Sequence, residues 1–127
     1  MPNIFSSSHD EGVLNMGRYV AYIGIKPAGD LGKTAFILGE VFGGISFQKD
    51  LDHQFEEYPA YIARSSDFEY VLLGIPDPEE DLREEPSDDF ELQIHSDEKT
   101  PGGNTDISDL VVRKIEADGR LKSWILP

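Results

Sequence analysis

The sequence has no cysteine, which rules out disulfide bonds, thiolate nucleophiles and thiolate metal ligands. It also has no apolar run near the length of about 20 residues that a membrane-spanning helix needs. Residues 1–12 show neither the basic start nor the apolar middle of a secretion signal. From these absences we expect a cytoplasmic protein that is not attached to a membrane.

Basic residues are scarce. The 127 residues include 11 Lys and Arg against 25 Asp and Glu, which gives a formal net charge of −14. A field of that sign repels the phosphates of nucleic acids and the surfaces of anionic membranes. We therefore expect no direct binding to nucleic acid or to a membrane, and a basic protein is the natural partner.

Motifs of catalysis are missing as well. The chain has no Gly-x-Ser-x-Gly elbow for a nucleophilic serine and no cofactor-binding motif. Pairs of carboxylates occur throughout so acidic a chain, and for that reason they do not point to acid–base chemistry. We expect no enzymatic activity, no catalytic residue and no cofactor.

One short stretch imitates a phosphate-binding loop. Gly32-Lys33-Thr34 matches the end of that motif and lies between a predicted strand and a predicted helix. However, Pro27 occupies the position of the motif's first glycine. Asp30 would place a carboxylate inside the loop that has to hold phosphates. We interpret the stretch as the first turns of a surface helix.

Two acidic groups raise the question of a metal site. A calcium loop that begins at Asp77 would have Leu82 at the position where the sharp turn requires glycine. A second group would bring carboxylates and one histidine to a single face only if it were helical. One histidine with carboxylates is also a poor ligand set for zinc. That group comprises Asp50, Asp52, His53, Glu56 and Glu57. We expect no metal at either place.

The hydrophobic pattern predicts one α+β domain over residues 1–127, with residues 1–15 as a loose N-terminal segment. Strands are predicted over 18–25, 58–64, 68–75, 90–95 and 120–126, and helices over 30–42 and 106–118. The expected order is β-α-β-β-β-α-β, a mainly antiparallel sheet of about five strands with both helices on one face. Asp30 should cap the first helix and Thr105 or Asp106 the second. The single tryptophan, Trp124, should be mostly buried. The predicted apolar stripes are Leu31, Ala35, Leu38 and Phe42 in the first helix, and Ile107, Leu110, Val111 and Ile115 in the second.

The densest charge lies in residues 75–93, where nine acids and one base between Asp77 and Glu91 give a net charge of −8. This segment is either a solvated loop that opposes aggregation or a docking surface for a basic protein. An extended chain would place Asp77, Glu79 and Asp81 on one side at intervals of about 6.6 Å, a crude imitation of a phosphate backbone. The candidate partner-binding residues are Asp77, Glu79, Glu80, Asp81, Glu84, Glu85, Asp88 and Asp89. Secondary candidates are Asp50, Asp52, Glu56 and Glu57.

The small size, the absence of cysteine, the acidity and the α+β pattern together resemble bacterial immunity proteins of contact-dependent inhibition and other polymorphic toxin systems. The stretch "PDPEEDLREEPSDD" is the part that most suggests this resemblance. It implies a protein that neutralises a basic partner, a cognate toxin with a nuclease domain. Two alternatives stay open: a stand-alone regulatory or enzymatic domain, and a phage-encoded mimic of nucleic acid.

Overall fold

The computed structural model describes residues 18–55, 58–65, 67–79, 81–83, 87–96 and 104–127. Seven strands and two helices lie within these ranges. The strands are β1 (Arg18–Ile25), β2 (Gln48–Lys49), β3 (Ala60–Arg64), β4 (Phe68–Leu73), β5 (Phe90–Ser96), β6 (Asn104–Asp106) and β7 (Ser123–Ile125). The helices are α1 (Leu31–Val41) and α2 (Ser108–Asp118).

The α+β class with a mainly antiparallel sheet and two helices is confirmed. β2 and β6 add two strands to the expected five. They have two and three residues, all of them polar, so neither shows the alternation of apolar and polar residues that identifies a strand in a sequence.

Strand β1 organises the sheet. The hydrogen-bonded order is β2-β3-β4-β5-β1-β6, and β7 also pairs with β1. β6 runs parallel to the first part of β1 at Arg18–Val20, whereas β7 runs antiparallel to its last part at Ile23–Ile25. Both short strands therefore lie on the same edge of β1, and α2 joins them along the chain.

Alternate residues of the strands form the main core on one face of the sheet. Ile23, Leu92 and Tyr70 are fully buried in a cluster that also includes residues of both helices. The stripe of α1 is confirmed, since Leu38 and Phe42 are fully buried. Successive strand residues point to opposite faces, so the other half of each strand forms what we call the far face.

The second helix differs from its predicted stripe at one position. Val111 and Ile115 are fully buried, but 50% of the surface of Leu110 is exposed. At 3.6 residues per turn, residues 107, 111 and 115 form a narrow row, and position 110 lies about 60° to the side of residue 107. The predicted cap is displaced too: Asp106 belongs to β6, and its carboxylate accepts a hydrogen bond from the backbone N–H of Ser108 at 2.8 Å.

A smaller apolar cluster covers one half of the far face. Ile62 and Val71 lie opposite each other on β3 and β4, and they are buried with Ala60 and Leu73. The side chains of Phe55 and Tyr58 pack against this cluster from the segment between β2 and β3. On the part of the far face around Gly24 and Glu91, the described residues form no such apolar cluster, and the candidate site lies there.

Candidate functional site

The stretch that imitates a phosphate-binding loop is a structural helix start. The Asp30 carboxylate accepts a hydrogen bond from the backbone N–H of Lys33 at 2.8 Å, which confirms Asp30 as the N-cap. The hydroxyl group of Thr34 is buried; it accepts from the N–H of Ala28 at 3.1 Å and donates to the carbonyl oxygen of Asp30 at 3.0 Å. The amide and hydroxyl groups that would face a nucleotide and its metal ion are thus engaged within the loop.

The secondary candidate group around Asp50 forms a turn. The Asp50 carboxylate accepts hydrogen bonds from the backbone N–H groups of Asp52 at 3.1 Å and Gln54 at 2.9 Å. Desolvation raises the pKa of Asp50, but these hydrogen bonds together outweigh it and hold the pKa below its usual value. His53 adopts a left-handed backbone with φ of 51°, which interrupts any helix through this group. Asp52 is exposed, so Asp50 shapes the turn and Asp52 adds charge to the surface.

In the acidic segment, the only base is held internally. The Arg83 guanidinium donates to both carboxylate oxygens of Asp81, at 2.9 Å from Nε and 2.8 Å from Nη2. Its Nη1 donates to the carbonyl oxygen of Ser87 at 3.1 Å. Hydrogen bonds from the side chain and then the backbone of Arg83 lower the pKa of Asp81 to about 2. Arg83 therefore neutralises Asp81 and links it to the backbone of Ser87. We call this set of contacts the clasp.

The other described acids of the segment point elsewhere. Asp77, Glu79 and Asp88 are exposed, and Asp89 is half-buried. Asp77 and Glu79 make no hydrogen bond or ion pair with any residue in the described ranges. The predicted extended row is wrong, because a turn forms at residues 78 and 79 and Asp81 pairs with Arg83 instead of standing beside them.

Five candidate acids lie outside the described residues: Glu56, Glu57, Glu80, Glu84 and Glu85. Among the residues that are described, no three His, Asp or Glu side chains form a group that could hold a metal ion.

A groove of about 500 Å³ opens on the far face between the acidic segment and β7. Its floor is one transverse row of the sheet, in which Leu73 pairs with Glu91, Glu91 with Gly24, and Gly24 with Trp124. Arg83 and Asp89 also line it from the acidic segment.

Gly24 allows Trp124 to lie directly on the sheet. A Cβ atom at Gly24 would collide with Nε1, Cε2 and Cζ2 of the indole, so only glycine lets the ring approach the strand this closely. The expectation of a mostly buried Trp124 is met only in part, because 37% of its surface is exposed and it lies outside the core. A glycine within the strand pattern "YIGI" was the available signal of a close approach, but it does not name the partner.

No helix in the described ranges is long and apolar enough to cross a membrane. The chain matches no protein-family model and no curated protein. The candidate site therefore has to be interpreted from its own geometry and charge.

Proposed function

We propose that this chain is an acidic cytoplasmic binding protein that neutralises a basic partner protein, and that the partner is a cognate toxin with a nuclease domain. The observation that carries the proposal is the internal clasp between Arg83 and Asp81. Because the only base of the segment pairs with its own neighbour, Asp77 and Glu79 find no base to pair with among the described residues. Both carboxylates face solvent, and a basic surface is their complement.

An apolar side chain stands among these charges. Leu82 lies between Asp81 and Arg83, and 85% of its surface is exposed. Protein interfaces place apolar contacts at the centre and charged groups at the rim, where the charges guide association more than they add affinity. The segment presents this combination, which favours a docking surface over a purely solvating loop.

The clasp also reduces the cost of binding. Arg83 joins Asp81 to the carbonyl oxygen of Ser87, so these three residues are held together before any partner arrives. Residues whose contacts are already formed lose less conformational entropy when they dock. A nuclease that holds phosphates in a basic groove would be blocked by such a surface without any chemistry on this chain.

The test starts from the reading frame that neighbours the gene of this chain. If that frame encodes a nuclease toxin, the purified chain should form a complex with it and stop its cleavage of nucleic acid. Co-expression should restore growth to cells that produce the toxin. The proposal fails if the neighbouring product is neither bound nor inhibited at micromolar concentration in low salt, or if no neighbouring frame encodes a basic protein.

A charge variant separates docking from solvation. The triple variant Asp77→Asn, Glu79→Gln, Asp88→Asn should slow association with the toxin by about threefold to tenfold in low salt, because it removes steering charge. Its association rate should also depend less on salt. The matched control removes the same charge from the helices by Glu40→Gln, Asp109→Asn and Glu116→Gln. Equal association rates for the two triple variants would contradict docking through the acidic segment.

A further inference from the structure

We propose that the groove on the far face binds an arginine side chain of the partner, with the guanidinium against the Trp124 indole and paired with the Glu91 carboxylate. The inference rests on the proposed function, because the arginine is one that the basic partner presents. It adds a specific pocket to the general electrostatic attraction of the acidic segment.

Strand register places the aromatic and acidic groups side by side. Glu91 and Trp124 are the partners of Gly24 on its two sides, in β5 and β7. All three residues belong to the same face, and neighbouring strands are about 4.8 Å apart. Because Gly24 has no side chain, no group stands between the Trp124 indole and the Glu91 carboxylate in this row.

The groove carries an excess of negative charge. Arg83 is already matched by Asp81, whereas the carboxylates of Asp89 and Glu91 face no second base among the described lining residues. Oε2 of Glu91 accepts a hydrogen bond from Nε2 of Gln93 at 2.8 Å. Oε1 of Glu91 accepts none from any residue that the structure describes. A cation that enters the groove therefore finds two uncompensated carboxylates.

Several features favour arginine over lysine. A guanidinium is planar, stacks on aromatic rings and donates two parallel hydrogen bonds to a carboxylate, whereas an ammonium group is a compact, strongly hydrated charge. Tyr58, Leu73 and Leu126 add aromatic and apolar lining that suits the methylene stem of a long cationic side chain. The exposed tryptophan is also typical of residues that dominate binding energy at protein interfaces.

The test uses three blocked pentapeptides with two glycines on each side of a central arginine, lysine or citrulline. Trp124 is the only tryptophan, so its emission reports occupation of the groove directly. The arginine peptide should change that emission saturably at millimolar concentration. The citrulline peptide, which has nearly the same shape without the charge, should bind at least tenfold more weakly, and the lysine peptide should fall between the two.

Variants then identify the acidic partner. Glu91→Gln should weaken the binding of the arginine peptide at least fivefold. Glu69→Gln is the matched control, because it removes the same charge from the same face about 13 Å further along the strands. Urea unfolding followed by circular dichroism checks that each variant folds. If Glu91→Gln does not fold, Asp89→Asn replaces it as the variant.

Three results would overturn the inference: no change of Trp124 emission at 10 mM arginine peptide (roughly the weakest binding measurable this way), equal binding of the citrulline peptide, or equal effects of Glu91→Gln and Glu69→Gln. The same two variants distinguish this inference from the proposed function when binding to the toxin is measured. If the toxin binds both equally well, the arginine pocket is wrong and the proposed function stands. If the arginine peptide binds as expected but no basic protein is bound, the proposed function is the one that fails.

Discussion

Replacing Gly24 with alanine should force the only tryptophan off the sheet. A Cβ at this position would overlap three atoms of the indole. To avoid this overlap, the ring would have to tilt into solvent, or β7 would have to move away from β1. Because 37% of the surface of Trp124 is exposed, close to two thirds of that surface is covered.

The cost follows from the area. A large aromatic side chain buries up to about 250 Å², so the covered part of Trp124 is roughly 150 Å², or about 4 kcal/mol at 25 cal/mol per Å² as an upper estimate. If the ring loses about half of that contact, the loss is about 2 kcal/mol. Alanine in a strand recovers about 0.5–1 kcal/mol relative to glycine. We therefore expect Gly24→Ala to lower the free energy of unfolding by about 1–1.5 kcal/mol.

Urea unfolding provides the assay, with circular dichroism for the fold and Trp124 emission for the ring. The emission of the native variant should shift to longer wavelength as the indole meets water. The decisive control is the Trp124→Ala background, where Gly24→Ala has no ring to displace and should be stabilising by about 0.5–1 kcal/mol. Equal effects of Gly24→Ala in both backgrounds would refute the contact, since residues that do not touch show additive changes.

Two further predictions concern the acidic segment and the first helix. Arg83 lowers the pKa of Asp81 from 3.8 to about 2, so the clasp should be intact above pH 4 and lost as the pH falls through about 2. NMR of the Arg83 Nε–H should follow this loss. A midpoint near pH 3.8 would contradict the prediction. The chain should show no magnesium-dependent thermal shift with millimolar ATP. Thr34→Ala should cost about 1 kcal/mol, because the half-buried backbone N–H of Ala28 loses its hydrogen-bond acceptor. A thermal shift with ATP that Lys33→Ala abolishes would contradict the structural role of that stretch.

The sequence by itself determined the α+β class, the place of both helices and the four longer strands. Those features depend on local patterns, such as the alternation of Phe90, Leu92 and Ile94 and the short-range hydrogen bond from the backbone of Lys33 to Asp30. The charge of the acidic segment is also a property of composition alone.

Only the tertiary structure decided the arrangement of the candidate site. Gly24, Glu91 and Trp124 are far apart along the chain, and the pairing of β1 with both β5 and β7 brings them into one row. A slip of one residue in either pairing would send these side chains to opposite faces, and no local pattern specifies that register. The pairing of Asp81 with Arg83 likewise depends on how the segment turns, because charge alone does not determine which acid forms the ion pair with a base.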